Sequence, residues 1–503
     1  MGNGSQYYAD YKDSYSFFQF KPEWLPFNKT AEELVDHYVE VLKFPDTGPK
    51  AGKYRACVAS FLYTAQRTIE TDRKTKLKNG HFKRSYLGVR YKPEAWSPYP
   101  MVGKDIAIKV AREFVRKLSL KLVEGSGSTN LTFDEDEGKY STDPIMSMYV
   151  VQKRHFTPEL RDARFIQVGL PFVKVNKPET RQQKHNRQAA GSIKPTLKMS
   201  VMRRTFGEAL RAAEVAVEAL DEFWRLHPIV LPSGHAGASA KRVFHDGRLD
   251  AGGRFYGLWT GQDKETSRLK STIDGEPICE LDIRASQPTL LSCLLGERLG
   301  GLQKGQEWSD VYGELSRLLM THYEWTLHDD KIDVIALFVR NRKTAKSVIM
   351  EMIGQGDPRK KKASKDLKEK YGLSEVGWDT FRDRLVETVP ALELLEPRYD
   401  DKGGLTGYIN GAGFLSYHES EMMLQALLVL KDHDIPAYPV HDCLIVKTTD
   451  SRLAARTYRE VIRQYCFKKS GLDVLVPLSV EVDPSVARDD LPPMTELIGR
   501  YLN

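Results

Sequence analysis

Cysteine is scarce and scattered in this sequence. Its 503 residues hold five (Cys57, Cys279, Cys293, Cys443 and Cys466), and no two stand at Cys-x-x-Cys spacing. That argues against a disulfide framework and against a structural zinc site. Long apolar runs are lacking too, since none approaches the ~20 residues that span a bilayer. The first thirty residues are polar and aromatic, with no basic-then-apolar leader, so the expectation is a cytoplasmic protein with no membrane partner. Neither sign of charge dominates: 75 Lys and Arg face 68 Asp and Glu, for a net charge of +7. A pI near 8.8 suits a polyanionic partner without requiring one. With 41% hydrophobic and 28% charged residues, the composition is that of a globular chain long enough for two or three cores.

Several stretches organise the N-terminal half. Residues 1–50 are rich in aromatics and turn formers and lead into a helix candidate at Ala31–Leu42. Residues 53–70 and 101–118 carry helical spacing. In the second, Ile106, Val110 and Phe114 recur every four residues, with Lys104, Lys109, Arg112, Arg116 and Lys117 on other faces. LSLKLVEGSGSTNLTF then reads as two short strands around a Gly-Ser turn. A basic helix before a glycine-tipped hairpin fits a winged helix on duplex DNA, and a small α+β packing module fits as well. The region 51–150 is therefore read as a helical domain, winged or not, and the N-terminal region as mainly helical.

A basic connector follows at 151–204. Its residues 171–204 hold nine Lys or Arg, among them Lys174, Lys177, Arg181, Lys184, Arg187, Arg203 and Arg204, against one acid, Glu179. Such runs are often only solvated surface, but this one could neutralise nucleic-acid phosphates. Thr205–His227 is strongly amphipathic, and the region 205–240 closes on the Pro/Gly/Ser-rich HPIVLPSGHAGASA.

From 241 to 503, strands alternate with long helices, and three motifs stand in order. EPICELDIRASQPTLLSCLLG delivers Asp282 at the end of a short β run, before a buried helix at Ser286–Leu295. Alone, Asp282 would read as a helix cap. VRNRKTAKSVIMEMIGQG sets Arg342 and Lys346 on one helical face, with Arg340 about half a turn from Arg342. Alone, that would be a solvated basic helix. Two such cations can nevertheless hold a triphosphate, Arg by its planar fork and Lys as a point charge. AYPVHDCLIVKTTD, after the amphipathic SYHESEMMLQALLVLKDHDI, predicts two strands joined tightly at His441-Asp442. In this order the motifs match two-metal phosphoryl transfer, in which two carboxylates bridge a pair of cations.

Residues ~241–490 resemble the palm and fingers of family-A polymerases, which include DNA-polymerase-I-type enzymes and single-subunit phage RNA polymerases. Asp282 matches the metal-binding Asp of motif A, Asp442 that of the His-Asp motif C, and Arg342 and Lys346 the Arg-x-x-x-Lys of motif B. Gly252-Gly253-Arg254-Phe255-Tyr256 is similar to the family's Thr-Gly-Arg segment, and VLVPLSVEVDP at 474–484 to its last palm strand. The resemblance implies an α+β fold: a right-hand palm, an antiparallel sheet with helices, and helical fingers at about 300–400. It implies Asp282, Asp442 and the Ile283 carbonyl as ligands of two Mg²⁺ ions (or Mn²⁺). It also implies Arg342, Lys346, Gln287 and Ser286 at the nucleotide, and Lys346 as proton donor to pyrophosphate. Arg254, His441 and Arg340 would lie at the nucleic acid, with His441 orienting the primer end. Thr205–His227 is the candidate thumb.

The sequence departs from the family's pattern at three points. Gln287 stands where DNA polymerases carry a sugar-excluding Glu, which leaves the choice of sugar open. Gly354-Gln355 stands where a Tyr-Gly pair would cover the nascent base pair, and Cys443 replaces a Glu or Ser. The first 240 residues contain no convincing acidic set for a 3′–5′ exonuclease. A basic tract at 357–362 could reach template backbone or be an exposed loop. The expected activity is a DNA polymerase acting on DNA primer–template and dNTPs, with RNA as a further partner. The alternatives are a single-subunit RNA polymerase or primase-like enzyme, and a degenerate palm that only binds DNA in replication or defence. An HD-type phosphohydrolase would need further histidines that the hairpin does not supply.

Overall fold

The computed structural model describes residues 15–72, 74, 84–89, 91, 99, 102, 104–122, 129–134, 139–144, 147–155, 157–180, 182–183, 186, 194–308, 311–313, 334–355, 364–371, 382–383, 385–394, 397–399, 405–408 and 411–503. They fall into two units. One is Met1–Lys241 with Gly257–Trp259, the other Arg242–Tyr256 with Thr260–Asn503.

The first unit begins with β1 (Tyr15–Gln19), β2 (Trp24–Pro26), α1 (Lys29–Val41) and α2 (Ala51–Thr71). Asn28 caps α1, its Oδ1 accepting from Ala31 N at 3.0 Å, and Ala31, Val35 and Val39 form the buried stripe. Next come β3 (Arg84–Val89), α3 (Lys104–Lys117), β4 (Lys121–Leu122), β5 (Thr129–Asp134), β6 (Lys139–Pro144) and β7 (Ser147–Val150). Strands β1, β3, β7 and β4 form a sheet in that order, with β1 parallel to β3. The Phe61 and Phe114 rings stack at 4.4 Å, joining α2 to the apolar face of α3, while Lys109, Arg112, Arg116 and Lys117 stay exposed.

These pairings correct two expectations. The unit is a mixture of sheet and helix, not mainly helical. The hairpin expected after α3 does not form among the described residues: β4 pairs with β7, and β5 pairs with β6. Two residues of β4 offer little ladder, whereas β5 and β6 match from Thr129↔Pro144 to Asp134↔Lys139 and satisfy far more backbone. The Gly-Ser tip of the expected hairpin lies outside the described residues.

Strand β8 (Phe165–Gln167) is antiparallel to β2, and β9 (Val173–Val175) follows it. The two ends of the basic stretch pair with each other. Asn176 bridges Thr196, and Lys177 N donates to Pro195 O at 2.9 Å. Helix α4 (Met199–Leu226) then starts six residues before the predicted one and departs from helical geometry at Gly207. Beyond it lie β10 (Ile229–Val230), β11 (Ala236–Gly237), which is parallel to β8, and β12 (Ala240–Phe244).

In the second unit, β13 (Gly252–Gly257), β14 (Thr272–Ile273) and β15 (Glu276–Ile283) precede α5 (Ser286–Leu295), α6 (Val334–Gln355) and α7 (Gly411–Asp432). Then come β16 (Ala437–Val440), β17 (Cys443–Lys447), α8 (Ser451–Ser470) and β18 (Leu478–Val482). Strand β15 is central, antiparallel to β17 on one side and β18 on the other, and β16 closes a hairpin with β17. Helices α5, α7 and α8 pack on one another and supply apolar cover from Leu290, Leu291, Met423, Leu427, Tyr458 and Ile462. The segment 474–484 is two strands rather than one, broken around Pro477, which has no N–H for a ladder. Among the described residues no helix is long and apolar enough to cross a membrane.

Candidate active site

Strand β15 positions Asp282. Side chains alternate across the sheet, so Glu280 and Asp282 share one face while Cys279, Leu281 and Ile283 are buried on the other. In register, Asp282 lies opposite Cys443 on β17 and Ser479 on β18. Val440 pairs with Cys443, so His441-Asp442 is the two-residue loop of the β16–β17 hairpin. His441 takes the positive φ (59°) that tight hairpins demand. The apolar flanks are fully committed: every residue of β16 is buried, as are Cys443 to Val446. The Tyr458 hydroxyl on α8 donates to the Asp442 carbonyl at 3.0 Å and fixes the loop from below.

The two carboxylates meet. Burial, then the neighbouring Asp442, pushes Asp282 up to about 8. Asp282 Oδ1 is buried and has no hydrogen-bond partner. Lys264 is the cation that opposes this shift. It reaches Glu481 at 2.7 Å and Glu280 at 3.4 Å, while Arg268 Nε meets Glu280 at 2.5 Å.

Another acid stands close to Asp442. Glu419, 1% exposed on α7, accepts both arms of Arg254, Nε to Oε1 at 2.7 Å and Nη2 to Oε2 at 2.9 Å. Burial, and then Asp442, raises Glu419 to about 7 despite that fork. Burial tends to lower Arg254, but Glu419, followed by Asp442, raises it overall. The His441 ring is edge-on to Tyr256 at 5.9 Å, and burial followed by Arg254 lowers its basicity. Its Nδ1 is buried without a partner.

The remaining expected residues are distributed as follows. Ile283 ends β15 opposite Leu478. Ser286 and Gln287 open α5 after Ala285, which is left-handed; Ser286 is buried, and Gln287 Oε1 is buried without a partner. Arg340, Arg342 and Lys346 all lie on α6. The Arg342 guanidinium is 5.7 Å from the Tyr312 ring centroid, and Lys346 is exposed. Lys174 sits on β9, Lys177 just beyond it, and Arg203 and Arg204 in the first turns of α4. Arg181, Lys184, Arg187 and the 357–362 tract lie outside the described residues.

Sequence reading passed over Glu419, Lys264 and Tyr458. Glu419 had a signal: an acid near Leu415, Met422 and Met423 on a largely buried helix whose other nearby acid is Glu421. Lys264 had none, because its importance arises from contacts with residues far along the chain.

The donor set fits a hard divalent cation. Among the described residues no group of three or more His, Cys, Asp or Glu side chains could cage a metal alone. Two convergent carboxylates, one with an orphaned oxygen, instead suit an ion such as Mg²⁺, which keeps waters and shares its remaining positions with substrate phosphates.

No family model and no curated protein matches the chain. Among solved structures, it is similar to the POL domain of Pol1 from M. smegmatis, in a complex with DNA primer-template and dNTP, at 12% identity and a TM-score of 0.28. The likeness covers 61% of this chain and 57% of that one, so the chain spans under two thirds of that domain. A likeness of that size leaves function to be argued from the residues themselves.

Proposed function

We propose that this chain is a template-directed nucleotidyltransferase, a DNA polymerase that extends a 3′-hydroxyl with dNTPs. The observation that carries the reading is the Asp282–Asp442 pair. These carboxylates, 160 positions apart in sequence, come together with Asp282 on β15 and Asp442 in the loop that leads into the adjoining β17, and Asp282 Oδ1 is buried and unpartnered. A pair of this kind is unfavourable unless a proton or a cation joins it.

In this reading Asp282, Asp442 and the Ile283 carbonyl would hold two Mg²⁺ ions, or Mn²⁺. Such ions, when bound, supply Lewis-acid stabilisation of the attacking oxygen and of the leaving phosphates. The primer's 3′-hydroxyl gives its proton to water, and its oxygen forms a bond to the α-phosphorus as the bond to pyrophosphate breaks. Arg342 and Lys346 neutralise the triphosphate, and Lys346 returns a proton to pyrophosphate. His441 and Arg254 position the primer end. The Glu419 fork holds the Arg254 guanidinium in one orientation and leaves its remaining N–H free for a phosphate or base.

Gln287 keeps a second substrate in view. Its buried, unpartnered Oε1 could accept from a ribose 2′-hydroxyl, which favours trials with rNTPs. The test is primer extension with Mg²⁺ or Mn²⁺, varying template, primer and sugar independently. Asp442→Asn should lower extension by about 10³-fold or more while DNA binding is kept. Equal extension by variant and parent would refute the reading.

A further inference from the structure

Three peptide segments of the first unit lie side by side. Val168 N donates to Glu23 O at 2.8 Å, Ala238 N to Gln167 O at 3.0 Å, and Leu170 N to Ser239 Oγ at 3.1 Å. These ties join the segments that carry Lys21, just after β1, and Lys241 on β12, and β12 lies beside β9, which carries Lys174. Each is only partly exposed, and their charges act on one another. None forms an ion pair among the described residues.

The acid whose charge acts on Lys241 is Glu23, which is 6% exposed. Gln167 Nε2 donates to its Oε1 at 2.9 Å, and its Oε2 has no hydrogen-bond partner. Three ammonium groups against this one tethered carboxylate leave an excess of positive charge on these segments. Burial first, and Lys21 next, lowers Lys241 to about 8, and the same two causes lower Lys174. The nearby Asp221 does not relieve this, because it is engaged with Ser239 Oγ and Ala240 N. Such a like-charged, half-buried trio is unfavourable for the free chain, and an external anion would compensate it.

We propose that Lys21, Lys174 and Lys241 form a phosphate-binding site that grips the backbone of a polynucleotide. The chain's own charge favours that source, since Lys174 and Lys177 open a stretch with nine cations and one acid. The site does not depend on the catalytic reading of Asp282 and Asp442.

The test uses the full chain and a fluorescein-labelled single-stranded oligodeoxynucleotide, titrated by anisotropy across a salt series. Replacing the trio (Lys21→Gln, Lys174→Gln and Lys241→Gln) should weaken binding and reduce the slope of log K against log salt by about 2, at roughly 0.7 per phosphate contact on a single strand. A control set with the same charge change at exposed positions (Lys29→Gln, Lys50→Gln and Lys53→Gln) should leave the slope nearly unchanged. Equal losses in both sets would reduce the effect to net charge and overturn the site. Inorganic phosphate forms the second arm: if it raises the melting temperature of the parent alone while both sets bind DNA equally, the site takes free phosphate and the polynucleotide reading falls. Lys241→Gln relieves repulsion and should melt no lower than the parent; a clear drop would make Lys241 a structural residue and overturn the proposal. Asp442→Asn, which should lose primer extension under the proposed function, should keep the parent's salt slope, which separates failure of this site from failure of the polymerase reading.

Discussion

A carboxylate buried beside another carboxylate is unfavourable unless a proton or a cation joins it, and Asp282 is held in that position. Replacing it with Asn should therefore raise the melting temperature in chelator while abolishing any stabilisation by Mg²⁺. For the parent that stabilisation should reach about 2.7 kcal/mol at a hundredfold excess over Kd. A differential scanning fluorimetry series with and without Mg²⁺ checks both halves; a variant that melts lower in chelator and still responds to Mg²⁺ would contradict the assignment. Asp221 is a second buried acid with a different role. It accepts from Ser239 Oγ at 2.6 Å and Ala240 N at 3.2 Å, yet burial raises it to about 7. The folded state thus holds this proton more tightly than an unfolded chain, where an aspartate titrates near about 3.9. Its contribution to stability is greatest at low pH, declines as pH rises from about 4 to about 7, and is flat above. Asp221→Asn can make both hydrogen bonds, so urea melts should show it matching the parent near pH 4 and exceeding it by on the order of 4 kcal/mol at pH 8.

Strand β13 shows how an element is fixed from several sides. Arg242, 2% exposed, donates from Nε to Gly253 O at 2.9 Å and from Nη2 to Glu421 Oε1 at 2.6 Å, with its guanidinium over Phe244 and Phe255. Gly253 has φ +87°, and a Cβ there would stand 2.7 Å from Ser420 Oγ, 2.8 Å from Phe244 Cε1 and 2.9 Å from Arg242 Nη2. Gly253→Ala combines a left-handed backbone with a clash against buried groups, and should destabilise by about 2–4 kcal/mol. Chemical denaturation measures it, and a change under about 0.5 kcal/mol would mean that the junction repacks freely. Arg254 is the next residue, so the same variant should weaken primer–template binding under the proposed function. Helix α5 is a plainer case. Its apolar density over Ser286–Leu295 was legible in sequence, and the helix spans those residues and closes on Gly296 with φ +80°.

At the scale of the molecule, two units each enclose buried apolar residues. Phe20, Phe61, Phe114 and Phe165 belong to the first, and Leu281, Leu427, Leu444 and Ile462 to the second. Calorimetry should resolve more than one unfolding transition, with Asp221→Asn moving one and Gly253→Ala another. A single peak shifted by both variants would show that the units unfold together.

The sequence by itself determined most helices and the hairpin of the site. Helical spacing, caps and a two-residue polar break between apolar runs are local signals, written within a few turns of chain. It also marked Asp282 and Asp442, because a charged residue amid apolar ones is conspicuous without any structure. Only tertiary structure decided the partners. Strand β4 left the expected hairpin for β7, Glu419 met Arg254 across 165 residues, and Lys264 reached Glu280 and Glu481. Lys21, Lys174 and Lys241 likewise come together only through hydrogen bonds between distant segments. Such pairings are set by which strand edges and buried charges remain to be satisfied once the chain collapses, and no local pattern encodes that competition.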